Sequence, residues 1–206
     1  MSDPLQNRVT PFGEIVAVSA RGAMMGNRGG RLHDDHKRLR RRRWASKAWI
    51  CCELSFKGWH REVMAPRNTY TELFFLDEVT ALAAGHRPCF ECRRVDARAF
   101  AAAFPEKEAR AGRMDEILHA ERLAEHRIET TVGLPDGAVW ADDQEAFTRR
   151  GGMILRWSPE GWHEMAKWRD KPVRLLTPPA VVTALCNGFE PRWHHAGGGS
   201  SDPASS

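Results

Sequence analysis

The chain has no apolar run that approaches the length of a membrane span, and its first residues hold no hydrophobic segment of the signal-peptide kind. A cytoplasmic protein without a membrane partner is therefore expected. Cysteine is scarce, with five in 206 residues, and an odd number at this density does not suggest a disulfide framework. The glycine-rich stretch Arg21 to His36, RGAMMGNRGGRLHDDH, lacks the Gly-Lys-Ser/Thr ending and so matches no P-loop, which leaves approach of its backbone amides to a phosphate as the lesser reading. No internal repeat is visible, and no complete set of nucleophile, base and orienting group can be read. What is present, 42% hydrophobic and 28% charged residues, is ordinary for a globular protein long enough to bury a full core.

Charge is distributed unevenly. Through residue 50 there are eleven Lys and Arg against four Asp and Glu, a balance of +7, which leaves −3 for the remainder of the +4 total. Much of the excess lies in HKRLRRRRW, His36 to Trp44. Such a run reads either as a solvated loop or as a phosphate-binding arm, because clustered Arg and Lys release counterions from nucleic acid. It has no apolar face, which argues against a membrane-surface helix.

The most informative stretch is Tyr70 to Arg94, YTELFFLDEVTALAAGHRPCFECRR. Leu73 to Leu76 reads as a buried strand. Asp77 is placed to cap a helix from Glu78 to Ala84, and Gly85 to end it. His86, Arg87 and Pro88 then form a turn that presents Cys89, and a second helix begins near Cys92. The spacing Cys89-x-x-Cys92 suits two thiolates facing one tetrahedral zinc. A redox dithiol or two buried cysteines have the same spacing, although the thioredoxin-like βαβ pattern that accompanies the redox motif is not found here.

Residues 76–94 resemble the second half of the N-terminal zinc domain of the Ada methylphosphotriester DNA repair protein. Glu78, Ala81, Ala83, Gly85, Arg87, Pro88, Cys89 and Cys92 match that family's pattern, and His86 stands where it has an aromatic residue. The resemblance implies zinc on Cys89 and Cys92. It does not carry methyl transfer, because the family's first pair, Cys-x-x-x-Cys, is missing. Upstream there are only the adjacent Cys51 and Cys52, with His33, His36 and His60. Cys52, Cys51 and His33 are the candidates to complete the metal site. Alternation over Ala48 to Phe56 places Cys52 on the core face of a strand and Cys51 on the other. A buried hydrophobe at Cys52 and solvated histidines at His33 and His36 are the plain alternatives.

The expected fold class is α+β: a small antiparallel sheet with the knuckle and helices, then a small β-rich subdomain with a terminal helix. The chain divides into residues 1–133, residues 134–195 and a Gly/Ser-rich tail over 196–206 expected to be disordered. Met1 to Thr10 is read as a frayed end, Gly13 to Ser19 as a strand, the glycine-rich segment as a loop, and Trp59 to Met64 as a hairpin partner. Helices are expected over Arg93 to Phe104, with Val95 and Phe100 inward, and over Arg110 to Glu125, with Met114, Leu118 and Leu123 inward. His119, Arg122 and His126 lie along one helix face that reads as solvated or, with Glu121 nearby, as an acid-base group or a set of phosphate contacts. Strands follow at Ala138 to Ala141, Ala146 to Arg149, Met153 to Trp157 and Pro172 to Leu176. Thr177 can cap the final helix, with Cys186 in the core. Trp140, Trp157, Trp162, Trp168 and Trp193 are expected to pack in the core, with base stacking as the alternative.

These residues together point to a zinc-stabilised nucleic-acid-binding protein connected with DNA repair. Arg38, Arg40, Arg41, Arg42, Arg43, Arg87, Arg93 and Arg94 would contact phosphate. The alternative is a metal- or cysteine-dependent enzyme, either a hydrolase or an alkyl acceptor.

Overall fold

Residues 3–58 and 62–194 are described by the computed structural model. The Asp77 carboxylate accepts hydrogen bonds from the Thr80 amide and hydroxyl, both at 2.8 Å, which is the geometry of an N-cap. Helix α1 follows over Glu78–Ala83, and Gly85, at φ +78°, ends it in the left-handed region that a side chain would strain. All six residues of α1 are buried. Ala81 packs on the first sheet with Ala84, Leu82 joins the helical cluster, and Val79 and Ala83 face the second sheet.

The first sheet consists of β1 (Gln6–Val9), β2 (Ile15–Ala17), β3 (Met24–Asn27), β4 (Ile50–Cys52), β5 (Leu73–Phe75) and β6 (Arg87–Pro88), in the order β2-β1-β5-β3-β4-β6. The class is α+β, but this sheet is mixed, because β1 pairs parallel to β5 and β4 parallel to β6. The N-terminal residues are not frayed from Gln6 onward: β1 is held between two strands, with Val9 in the core. The glycine-rich segment is not all loop either, since β3 lies inside the sheet. Gly26 belongs to that strand because a Cβ there would sit 2.1 Å from the Ile50 carbonyl oxygen and 2.9 Å from the Phe75 ring. Close backbone approach, rather than turn formation, requires this glycine. The partners of β4 are β3 and β6, and no strand forms at residues 62–64; residues 59–61 of the expected hairpin lie outside the described residues.

Two helices come next, α2 (Arg94–Ala103) and α3 (Ala111–Arg122). Then come β7 (His126–Ile128), β8 (Val139–Asp142), β9 (Glu145–Arg150), β10 (Met153–Ser158), β11 (Gly161–Glu164) and β12 (Val173–Leu175). They form a fully antiparallel sheet ordered β11-β10-β9-β8-β12-β7. Strands β7 and β11 have little apolar alternation, and pairing with neighbours defines them. Helix α4 (Pro179–Cys186) closes onto α2 and α3 through Val181, Ala184 and Leu185. Its cap is Pro178, because the Thr177 hydroxyl instead accepts the Val139 amide at 2.8 Å. Val95 and Leu123, expected inside, are 81% and 58% exposed; Ala97 and Phe100 form the inner side of α2. Cys186 is exposed rather than core. Trp140 is fully buried, and Trp162 donates its indole N–H to Asp77 at 2.8 Å, so the second sheet is fastened to the cap of α1. The 196–206 tail lies outside the described residues.

Candidate metal centre and basic face

The register of the first sheet assembles the thiols. Strand β4 pairs with β6 so that Cys51 lies opposite Pro88, and the Cys89 amide donates to the Cys51 carbonyl at 2.9 Å. Cys52, at the end of β4, therefore emerges beside Cys89, and the knuckle returns Cys92 just before α2. The sulfurs of Cys52, Cys89 and Cys92 lie within 4.8 Å of one another, and none of the three is in a disulfide. Zinc–thiolate bonds of about 2.3 Å would set tetrahedral sulfurs roughly 3.8 Å apart, so this triangle can close on one ion. Among the described residues no further His, Cys, Asp or Glu ligand atom joins it.

Backbone amides point at two of these sulfurs, those of Cys89 and Cys92. The Glu91 amide donates to Cys89 Sγ at 3.4 Å, the Cys92 amide points to the same sulfur, and the Glu53 amide points to Cys92 Sγ. Hydrogen bonds from Cys52 and then Cys92 draw the Cys89 thiol far below its ordinary value, and the same bond to Cys89 pushes Cys52 up. The protein's own groups thus support at least one thiolate, the form that binds metal.

Cys51 takes no part. It is fully buried among Val9, Leu73 and Phe75, burial pushes its thiol well above the ordinary value, and Arg93 Nη1 lies 3.6 Å from its sulfur. The expected faces of this strand are reversed, with Cys51 in the core and Cys52 at the cluster. His33 is also elsewhere, fully buried, with Nδ1 2.7 Å from the Thr71 hydroxyl and Nε2 3.2 Å from the Ala65 carbonyl. A carbonyl can only accept, so Nε2 carries the proton, and Nδ1 accepts from Thr71; neither nitrogen has a lone pair left for a metal. His60 lies outside the described residues.

The predicted phosphate-contacting arginines fall into two groups. Arg87 and Arg93 are inside the protein. Arg87 makes two hydrogen bonds of 2.8 Å to Asp115, and Arg93 binds Glu78 at 2.7 Å and Asp96 at 2.8 Å. Arg38, Arg40, Arg41, Arg42, Arg43 and Arg94 are exposed. The basic run is pinned at both ends rather than free: the Ala45 and Ser46 amides donate to the Arg28 carbonyl, and the Arg40 amide to that of Leu32. Arg41, Arg42, Arg43, Trp44, Lys47 and His119 line a cleft of about 490 Å³, and no Asp or Glu lines it. Trp44 is 38% exposed and leans against Trp49 at 6.0 Å.

Beside this cleft the structure assembles a group that sequence reading did not single out: Arg28, Trp49 and His86, together with Arg122. The guanidinium centres of Arg28 and Arg122 lie 3.8 and 4.2 Å from the Trp49 ring centroid. The spacing of His119, Arg122 and His126 was the one available signal, and a solvated face was its plainer reading; Arg28 sat in a segment read as loop. Compared with family models, curated proteins and solved structures, the chain matches none of them. The fold and site define an α+β protein with a three-cysteine cluster able to hold a metal ion and an exposed arginine-rich face. No helix among the described residues is long and apolar enough to cross a membrane.

Proposed function

We propose that the protein holds one zinc ion on Cys52, Cys89 and Cys92 and binds nucleic acid, DNA first, across the face carrying Arg41, Arg43, Trp44 and Lys47. Zinc suits a compact set of thiolates, and the resemblance of residues 76–94 to the Ada zinc domain supports the same ion. The observation that carries nucleic-acid binding is the 490 Å³ cleft in which cationic side chains surround an exposed tryptophan without an acidic residue. Guanidinium and ammonium groups engage phosphates, and an indole can stack on any base. The metal keeps β4, β6 and the start of α2 together. Its link to the basic face runs through the first sheet, whose strands β3 and β4 flank the 28–49 segment.

Binding of labelled single-stranded and duplex DNA, followed by fluorescence anisotropy, should weaken about 10- to 100-fold between 50 and 200 mM salt, as about three phosphate contacts require. Arg41→Ser with Lys47→Ser should flatten the logarithmic salt slope by up to about 2. Binding that is absent or insensitive to salt would remove this function.

A second reading is favoured by one observation, the lack of a fourth ligand among the described residues. Zinc with three protein ligands supplies an open position for water or substrate, and a zinc-held thiolate can accept an alkyl group. A stoichiometric adduct on Cys52, Cys89 or Cys92 after exposure to an alkyl donor, read by intact mass, would support that reading. Adducts confined to the exposed Cys186 would exclude it.

A further inference from the structure

We infer that the cleft between the Phe12–Glu14 turn, Trp49 and α3 is a phosphate-binding site in which Arg28 and Arg122 grip a phosphomonoester. The inference deepens the nucleic-acid reading by naming the group bound, and rests on it only where the phosphate belongs to a polymer. Arg28 is 1% exposed, yet its hydrogen bonds go to the Gly13 carbonyl at 2.9 Å and to His86 Nε2 at 3.3 Å, both uncharged. His86 is fully buried and held neutral by burial and by the two arginines beside it, so it accepts from Arg28 without balancing its charge. Arg122 donates to the carbonyls of Leu118, Gly85, Lys47 and Asp115. The Asp115 carboxylate, whose charge favours the Arg122 cation, is already occupied by Arg87.

Two guanidiniums thus converge on one indole ring with no ion pair to either among the described residues. Glu14, Glu121 and Glu125 line the same cleft of about 830 Å³; Glu121 accepts from the Ala180 amide, Glu125 pairs with Arg127, and Glu14 forms no ion pair with Arg28 or Arg122 among the described residues. Arg43 and Arg174 line it as well, adding two further cations. A desolvated cation without a counter-charge is costly, and the sheet retains one here beside a space large enough for a ligand. Burial first, then Arg122 and Arg43, depress Arg28 to about 9, a further sign of a cation short of negative charge. Among the described residues Arg122 keeps one N–H of Nη1 uncommitted and Arg28 both N–H groups of Nη1, so their positive charge and remaining donors match the oxygens of a phosphate dianion better than a single carboxylate.

Calorimetric titration of the whole protein with inorganic phosphate, against acetate at matched ionic strength, tests the site. One saturable site per chain is expected for phosphate and none for acetate. Arg122→Met should weaken it at least about tenfold, while Arg156→Ser, at an exposed pair with Glu145 on β10, should change it by less than about twofold. Should Arg28→Met fail to fold, Arg28→Lys, which keeps the charge and loses the fork, should still weaken binding severalfold. No saturable phosphate binding, equal binding of acetate, or full binding in Arg122→Met would overturn the inference. Thymidine 5′-monophosphate and oligonucleotides with a 5′-phosphate or a 5′-hydroxyl then separate a free nucleotide from a strand end as the source. Phosphate binding without salt-dependent DNA binding would leave this site standing and remove the polymer reading alone.

Discussion

Cys89→Ser is expected to release zinc and to lower the melting temperature by about 6–20 °C, the equivalent of roughly 3–5 kcal/mol in a chain of this size. Cys89 receives two backbone N–H bonds and the approach of both other sulfurs, so it is the centre of the cluster. Removing it leaves Cys52 and Cys92, the latter with the Glu53 amide, but without a third sulfur. The size of the effect follows from linkage: an ion that binds only the folded chain contributes its binding free energy to folding. Thermal melts paired with elemental analysis check it, and a strong chelator should reproduce the drop in the unaltered protein while leaving the variant unmoved. Two further substitutions separate metal from packing. Cys52→Ser should lose the ion as Cys89→Ser does, whereas Cys51→Ser should keep it and lose only about 1 kcal/mol of core packing. Equal zinc in Cys52→Ser and Cys51→Ser would show that the assignment of faces along β4 is wrong.

The second large effect concerns the charges behind the cluster. Arg93→Met is expected to destabilise the fold by about 3–5 kcal/mol, because it leaves a buried carboxylate without its partner. Glu78 is 0% exposed; Arg93 binds it through both terminal nitrogens, and the Arg192 amide donates to it at 2.9 Å. Burial alone would lower the Arg93 guanidinium, but bonds to Glu78 hold it above its ordinary value. Asp96 and Glu53 extend the network to Arg192, both at 2.7 Å, so the segment after α4 is tied to the residues that flank Cys52 and Cys92. Adding Glu78→Gln to Arg93→Met should recover part of the loss, because the isolated charge is then gone. Denaturant unfolding of both variants provides the comparison. A loss below about 1 kcal/mol in Arg93→Met, the value of an exposed pair, would contradict this account.

The capped helix from Asp77 to Gly85 and the cysteine knuckle were legible because local chemistry specifies them: a side chain that satisfies an amide, a glycine at positive φ, and two thiols at fixed spacing. Strand β3 was hidden because Gly26, which signals a turn when read locally, is there to let Ile50 and Phe75 approach. The choice between Cys51 and Cys52 was also beyond sequence. A two-residue period separates their faces but does not say which faces the core, and that depends on β6 pairing in parallel. Arg87 and Arg93 looked like part of a basic patch because their partners, Asp115 and Glu78, are brought to them only by the packing of α3 and α1. For Arg28, the turn at Gly13 and the ring of Trp49 create an environment that composition cannot show.

X-ray absorption at the zinc edge of the purified protein tests the central claim most directly. The account predicts one zinc per chain with about three sulfur neighbours near 2.3 Å, and no bound zinc in Cys52→Ser. Metal-free protein, or an ion surrounded only by nitrogen and oxygen, would contradict it.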